Sequence, residues 1–418
     1  MATVNPGATW YYHSEGFGMD IDFDDDIRRF RQEIRDFIRA NLPDSLRRMV
    51  RDERVFLTPA DIRPWTRMLF ERGGWNCPSW PRQHGGPGWT YEQQYVFERE
   101  LADNDAPQLD VFAAGMVGPA IIEFGTEDQK RRFLPGLACG DIILCQGYSE
   151  PNAGSDLASL QCRAVREGGE YVIDGTKMWT SDAQYADYMF GLFRTDSSGK
   201  KQHGITVLLV DMNSPGLTLR PIRTFEGGDE LSQTFFDTVR VPLENRLGDE
   251  HMGWNIAKYI LGMERFGTAE VGRSSASLCR LKTIASEEPA YGKRLIDDAD
   301  FARDIAKAEI ALRELELTEQ RFLFGPGGAD AMGFEASLLK IKGTELQQHI
   351  LGLMVEAIGY YANVAIADSP DAGGNEARPG PDTSVFAARA FFNMRKTTIY
   401  SGSNEIQKNI IAKAVLGL

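Results

Sequence analysis

The sequence has little cysteine and histidine, and the placement of both excludes certain kinds of site. Its five cysteines include no C-x-x-C pair and are odd in number, which disfavours a disulfide framework. A reduced, cytoplasmic setting is therefore expected. The five histidines show no H-x-x-x-H or other ligand spacing, so we expect no metal site.

Long apolar runs and a surplus of basic charge are also missing. The longest apolar run, Ile205–Val210, is far shorter than the roughly 18 residues that span a bilayer. Acidic residues, among them Asp20 and Asp26, occupy the N-terminal region where a secretory signal would need a basic and then an apolar segment. The net charge of −14 argues against nucleic acid as a partner. A phosphorylated ligand held by a local pocket or by helix N-termini remains compatible with it.

The spacing of apolar residues divides the 418-residue chain into three zones. Helical spacing marks residues 20–140, short strands and turns mark residues 141–253, and helical spacing returns over residues 254–418. No glycine-rich turn of the dinucleotide-binding type joins a strand to a helix, which disfavours a Rossmann domain. The pattern predicts an α+β protein in which a β domain lies between two helical domains.

Two local predictions concern the middle zone and the start of the third. The dipeptide Asp174-Gly175 tolerates a tight turn, so Tyr171–Ile173 and Met178–Thr180 are expected to form a β-hairpin. One helix is expected to begin near Trp254 and to continue as far as Val271. Further strands are expected at Ile205–Val210, Leu217–Arg220 and Thr234–Val241.

Three separated motifs carry a resemblance that covers nearly the whole chain. Residues 146–156 have the sequence Gln-Gly-Tyr-Ser-Glu-Pro-Asn-Ala-Gly-Ser-Asp, and Lys177-Met178-Trp179-Thr180-Ser181 follows. The C-terminal run 399–407 is Ile-Tyr-Ser-Gly-Ser-Asn-Glu-Ile-Gln. In this order the motifs resemble those of the acyl-CoA dehydrogenase family.

The resemblance implies an N-terminal helical domain over residues 20–140, a middle β-barrel or sandwich over 141–253, and a C-terminal four-helix bundle over 254–418. It also implies FAD as cofactor, an acyl-CoA substrate, and an electron-transfer flavoprotein as acceptor. Small residues in the first motif would let the backbone approach a flat ring, and Trp179 would cover that ring. The residues implied to bind FAD are Gln146, Tyr148, Ser149, Gly154, Ser155, Trp179, Thr180, Ser181, Ser403 and Glu405. Those implied to contact the substrate are Ser155, Arg265, Ser401 and Gly402.

The chain departs from the family where many members carry the catalytic base. Dehydrogenation of an acyl-CoA needs a carboxylate to remove the α-proton, and that carboxylate commonly follows the tyrosine of the C-terminal motif. Here the position is Ser401, which cannot act as a base. Its backbone N–H could still polarise the thioester carbonyl.

Glu264 is the predicted replacement for the missing base. It shares a helical face with apolar residues such as Ala257 and Ile260, and no Lys or Arg lies at the common pairing positions. An unpaired carboxylate in an apolar stripe should have a raised pKa. Some family members place their base at this position, and Arg265 matches a family arginine. Glu405, one turn past Ser401, is the alternative base.

A second departure concerns the FAD diphosphate. Family members use an Arg-x-x-Phe-Gly-Lys segment for the diphosphate of a neighbouring subunit, but this chain has Glu288 at the arginine position. The family's Gly-Gly-x-Gly turn is replaced by Glu356-Ala357-Ile358-Gly359. Acids beside a diphosphate weaken its binding. The expectation is an oligomer with a related second subunit that supplies the arginine, and the alternative is a homotetramer with a rearranged FAD site.

Two other functions stay open on the same fold. Relatives include oxidases and monooxygenases that react with O₂ and need no α-proton base, so Glu264 favours dehydrogenation over them. A non-catalytic subunit that holds ligand or flavin is favoured by Ser401 and disfavoured by the intact flavin motif.

Overall fold

The structure is a computed structural model, and it describes residues 23–53, 57–263, 267, 269–290, 292–325, 333–364, 380–381 and 384–418. Within these ranges no helix is long and apolar enough to cross a membrane. The described helices and strands follow the predicted order of helices, strands and helices. The α+β class is therefore confirmed.

The N-terminal helices begin where the sequence places capping residues. Three of them open with a threonine that forms a capping box with the third helical residue, as Thr58 does with Asp61. Apolar residues of the first and fourth helices, including Ile34 and Phe97, pack together with Trp75 in one buried cluster. The helices are α1 (Asp25–Asn41), α2 (Asp44–Arg51), α3 (Pro59–Glu71), α4 (Tyr91–Asp103), α5 (Gly118–Phe124) and α6 (Glu127–Cys139). A π-helix, Val111–Val117, precedes α5.

The middle zone forms one mixed sheet of eight strands. Its strands are β1 (Leu144–Gly147), β2 (Arg163–Glu167), β3 (Glu170–Ser181), β4 (Tyr188–Arg194), β5 (Ile205–Asp211), β6 (Leu217–Ile222), β7 (Leu231–Pro242) and β8 (Arg246–Leu247). The order across the sheet is β6-β7-β3-β2-β4-β5-β8, and β1 pairs with β4 in parallel. The strands expected at β5, β6 and β7 are confirmed.

The hairpin expected at Asp174-Gly175 is wrong, because β3 runs straight through this dipeptide. The register between β3 and β7 shifts between Ile173 and Gly175, and the extra residue lies in β7, where Asp237 and Thr238 bulge opposite Asp174. Gly175 has φ +142°, and a Cβ there would lie 2.7 Å from Sγ of Cys162. The Asp174 carboxylate accepts the N–H of Thr238 across the bulge at 3.0 Å.

The single helix expected from Trp254 to Val271 is also wrong. Helix α7 (Gly253–Met263) starts where predicted, but Val271 belongs to the next helix, α8 (Val271–Glu287). Between them Gly267 has φ +77° and Glu270 has φ +46°, conformations that an α-helix does not contain. Val271 therefore does not extend the apolar stripe of α7.

The remaining helices pack into a C-terminal bundle around one large buried cluster. They are α9 (Ala299–Leu323), α10 (Glu335–Ile358), α11 (Ser384–Asn393) and α12 (Asn404–Ile411). A short hairpin of β9 (Pro289–Ala290) and β10 (Lys293–Arg294) follows α8. A 3-10 helix, Met394–Thr398, leads from α11 toward the C-terminal motif.

Candidate functional site

The structure brings the first two motifs together. Residues 148–155 form a loop after β1, and the end of β3 lies against it. The Met178 N–H donates to the Ser149 carbonyl at 2.9 Å, and Lys177 Nζ donates to the Tyr148 carbonyl at 3.1 Å. The two parts of the predicted flavin site are thus one unit in three dimensions.

A buried ion pair fixes the shape of this loop. Lys177 Nζ lies 2.8 Å from Oε1 of Glu150, and the Lys177 side chain is fully buried. The Glu150 carboxylate also accepts the N–H groups of Gln161 at 2.6 Å and Cys162 at 2.9 Å. Charge and hydrogen-bonding capacity are therefore satisfied without solvent. Neither residue has a role predicted from the sequence, although a lysine that points from a strand into the protein core indicates a buried partner.

The last residues of β3 separate into two faces. Trp179 is 55% exposed and has φ +64°, an uncommon value for a bulky side chain that sits at the second register shift of β3. Thr180 points the other way, is buried, and accepts a hydrogen bond from the Thr234 hydroxyl at 3.4 Å. Ser181 is half-buried. Because Thr180 is already engaged in the sheet, this geometry favours Ser181 as the hydroxyl beside Trp179.

The outer part of the loop offers room for a planar ligand. A Cβ added to Gly154 would meet no heavy atom within 4 Å, and Ser155 is exposed. Gln146 is half-buried on β1, and Tyr148 is buried against Phe190 with ring centroids 5.6 Å apart. An open backbone segment beside an exposed indole and a half-buried serine hydroxyl fits an isoalloxazine ring.

The C-terminal helices are tied to the end of β3 through Glu230. The Glu230 carbonyl accepts the Asp182 N–H at 2.7 Å, directly after Ser181. The Glu230 carboxylate accepts hydrogen bonds from Lys396 and, at 3.0 Å, from Asn393. The segment that leads to Ser401 is thereby fixed to the strand that carries Trp179.

The C-terminal motif forms a tight turn before α12. Ser401 has φ +51° and Gly402 has φ +79°, so two consecutive residues are left-handed. Ser403 caps α12, and its hydroxyl accepts the Ile406 N–H at 3.4 Å. Glu405 lies exposed in the first turn of α12. Hydrogen bonds from its own backbone N–H and from Ser403 lower the pKa of its carboxyl, which argues against Glu405 as a base at neutral pH.

Glu264 and Arg265 lie outside the described residues. The described part of their surroundings includes Ala257 and Ile260 of α7, both buried, and Leu261, which is 38% exposed. Beyond them, a Cβ on Gly267 would lie 3.3 Å from Oε2 of Glu98 on α4. Burial raises the pKa of Glu98 to about 8. The Glu98 carboxyl beside Gly267 is therefore in surroundings that favour its protonated form.

The two acids predicted to stand at the family's diphosphate-binding positions are both described. Glu288 is the C-cap of α8 and is half-buried, and burial raises the pKa of its carboxyl. Glu356 is exposed in the last turn of α10, which Gly359 terminates with φ +61°. Neither Glu288 nor Glu356 forms an ion pair within the described residues.

Comparison with known proteins gives one family along the chain. Family models described as the N-terminal, middle and C-terminal domains of acyl-CoA dehydrogenase match residues 24–141, 145–239 and 251–416. Acyl-CoA dehydrogenase FadE26 of Mycobacterium tuberculosis is 34% identical over 96% of this chain and 99% of its own.

Solved structures agree with the sequence comparison. The ChsE4-ChsE5 complex of Mycobacterium tuberculosis has a chain 32% identical to this one, with a TM-score of 0.80 over 96% of this chain and 99% of that one. The Tcur3481-Tcur3483 steroid ACAD has a chain that is 30% identical, with a TM-score of 0.82 over the same shares.

Proposed function

The chain belongs to the acyl-CoA dehydrogenase family of FAD-dependent enzymes, and on that premise we propose that Glu264 is the base that removes the α-proton of an acyl-CoA thioester. FAD, when bound, supplies the acceptor for the hydride that leaves the β carbon. The observation that carries the proposal is the absence of a carboxylate at Ser401 in a chain whose flavin loop is complete. The exposure and lowered pKa of Glu405 support Glu264 over this alternative.

The chain's own residues have three further roles in this proposal. Trp179 and Ser181 orient the flavin ring, and the loop fixed by Lys177 and Glu150 holds the ring's polar edge. The Ser401 N–H donates to the thioester carbonyl, which acidifies the α-proton. Glu264 removes the α-proton, and the apolar residues that share its stretch of sequence favour the raised pKa that such a base needs.

The substitution Glu264→Gln tests the base. We expect the rate of flavin reduction by an acyl-CoA to fall by about 10² or more, with FAD content unchanged. The matched control is Glu405→Gln, which should leave that rate within a few-fold of wild type. Rapid reduction in Glu264→Gln, or loss of reduction in Glu405→Gln, would assign the base elsewhere. A wild-type protein whose flavin no acyl-CoA reduces would support the non-catalytic alternative.

We further propose that the active form is an oligomer with a related second subunit, which supplies the cation for the FAD diphosphate. The acids at Glu288 and Glu356 support this, as does the heteromeric make-up named for the ChsE4-ChsE5 relative. The chain alone should then lose FAD on gel filtration, and Glu288→Arg should improve retention whereas Glu287→Arg should not. Full FAD occupancy in a pure homo-oligomer would end this proposal.

We also propose a substrate class and an electron acceptor. The name of the steroid ACAD relative supports an acyl-CoA with a steroid-derived acyl group. An electron-transfer flavoprotein is the proposed acceptor. Anaerobic flavin reduction by short, branched, dicarboxylic and steroid acyl-CoAs ranks the substrates, and equal rates for the short and steroid compounds would contradict the steroid assignment.

A further inference from the structure

In the turn at Ser401–Gly402 the backbone carbonyls and the backbone N–H groups differ in their hydrogen bonding. Both carbonyls accept hydrogen bonds from side chains of the protein. Gln407 Nε2 donates to the Ser401 carbonyl at 3.0 Å and to the Gly402 carbonyl at 3.2 Å. Across residues 384–418 and the other described ranges, the N–H groups of Ser401 and Gly402 donate to no acceptor in the protein. The turn thus keeps its donors available and its acceptors occupied.

Lys340 supplies the second donor to this turn from another helix. Its Nζ lies 3.0 Å from the Gly402 carbonyl and 2.9 Å from Oδ1 of Asn404. The residue is 3% exposed in the second turn of α10. Lys340 therefore ties the turn to α10, 62 residues away in sequence.

The partners of Lys340 are neutral, which makes its burial costly. Both acceptors are amide oxygens, and the nearest carboxylate that acts on it, Glu405, is exposed. Burial lowers the pKa of the ammonium to about 8. An apolar side chain of similar length would avoid this cost. The ammonium is therefore better explained by what it does to the turn than by stability.

We propose that Lys340 is a positioning residue that, together with Gln407, holds the Ser401–Gly402 turn so that the Ser401 N–H points at the thioester carbonyl. This inference rests on the proposed function of Ser401. A donor aimed at a developing oxyanion contributes 10²–10³ in rate, and a small misalignment removes much of that. Lys340 acts only through the turn and contacts no reacting atom in this proposal.

Lys340→Met tests the proposal, with Lys342→Met, an exposed lysine on the same helix, as matched control. We expect kcat to fall about 10- to 100-fold while KM stays within about three-fold and FAD content is unchanged. The long-wavelength charge-transfer band between a bound 3-thia-acyl-CoA and oxidised flavin reports the enolate that forms when the α-proton is lost. Hydrogen bonding to the carbonyl stabilises that enolate, so the band should weaken in Lys340→Met and not in Lys342→Met. Wild-type kcat and a full band would overturn the proposal, as would a loss confined to FAD content or KM.

A second variant covers the case in which Lys340→Met does not fold. Gln407→Leu removes the other tether from a half-buried position and should weaken the same band by a smaller factor. An unchanged band in Gln407→Leu would overturn the proposal in that case. Glu264→Gln, assayed in parallel, separates this inference from the choice of base. Normal turnover in Glu264→Gln with a weak band in Lys340→Met would reject the base and retain the positioning role.

Discussion

Two buried lysines hold the two loops of the site, and they do so in different ways. Lys177 on β3 and Lys340 on α10 are 0% and 3% exposed, and each donates to one backbone carbonyl of a functional loop. Lys177 also has the Glu150 carboxylate as partner, whereas Lys340 has only amide oxygens. The flavin loop is thus fixed by an ion pair with no net charge. The C-terminal turn is fixed by Lys340, whose hydrogen-bond partners carry no charge. A compensated pair suits a loop that must be rigid before any ligand binds, while the Lys340 arrangement leaves the ammonium with neutral hydrogen-bond partners beside the C-terminal turn.

The largest effect is expected from breaking the compensated pair. Lys177→Met would leave the Glu150 carboxylate buried with only the N–H groups of Gln161 and Cys162. Removing one partner of a buried ion pair costs about 3–5 kcal/mol. We expect that loss in denaturant unfolding, together with less bound FAD than the wild-type protein retains under the same conditions. The double variant Lys177→Met/Glu150→Gln should recover part of the stability and part of the FAD retention. If it is no more stable than Lys177→Met, the unpaired charge of Glu150 is not the cause of the loss.

The next effect concerns Gly175, which lies beside the bulge of β7 and two residues before Lys177. Gly175→Ala would place a Cβ at 2.8 Å from Cα of Cys162 at a φ of +142°. Strain of this kind costs about 1–3 kcal/mol. The loss should show in denaturant unfolding, accompanied by weaker FAD retention because a movement of β3 at this point displaces Lys177. Gly169→Ala, at a position with no neighbour within 4 Å, is the control. Equal stability of the two variants would mean that β3 tolerates another register.

This bulge also shows where sequence reasoning stops. The helix–strand–helix order could be predicted because apolar periodicity is local, and the motifs could be located because each is contiguous. Asp174-Gly175 is equally suited to a hairpin turn and to a strand position opposite a bulge, and only pairing with β7 decides between them. Likewise Gly267 could be a tolerated helix glycine or a break, and its φ of +77° makes it a break.

The residues that hold the two loops in place could not be predicted from the sequence, for a different reason. Lys177 meets Glu150 across 27 residues and Lys340 meets Asn404 across 64, so neither pair has a spacing that a helix or strand would reveal. Residues that touch a ligand can be located by motif, because the ligand's chemistry restricts them. Residues that hold those motifs in place are determined by tertiary contacts, which a single sequence does not show.

A smaller stability effect is expected from Lys340→Met than from Lys177→Met. The substitution removes one donor from each of two neutral acceptors, of which the Gly402 carbonyl keeps Gln407, and it also removes a buried charge, so the net loss should be about 1 kcal/mol. Denaturant unfolding of both variants under one set of conditions checks this, with Lys342→Met as the exposed control. A loss as large as that of Lys177→Met would show that Lys340 stabilises the bundle as strongly as the ion pair stabilises the flavin loop.

The last effect appears only as a pH dependence of stability, and it tests a third kind of buried charge, the acids between α4 and α9. Burial raises the pKa of Glu98 to about 8 and of Glu319 to about 7, and Arg99 only partly offsets this at Glu319. Because the folded state holds protons that the unfolded state releases, stability should fall as pH rises from about 4.5 toward 7. Glu319→Gln should remove about 1–3 kcal/mol of that fall between pH 5 and pH 8, whereas Glu314→Gln, exposed on the same helix, should leave it unchanged. If both variants keep the wild-type pH dependence, Glu319 is charged in the folded protein and its burial does not raise its pKa.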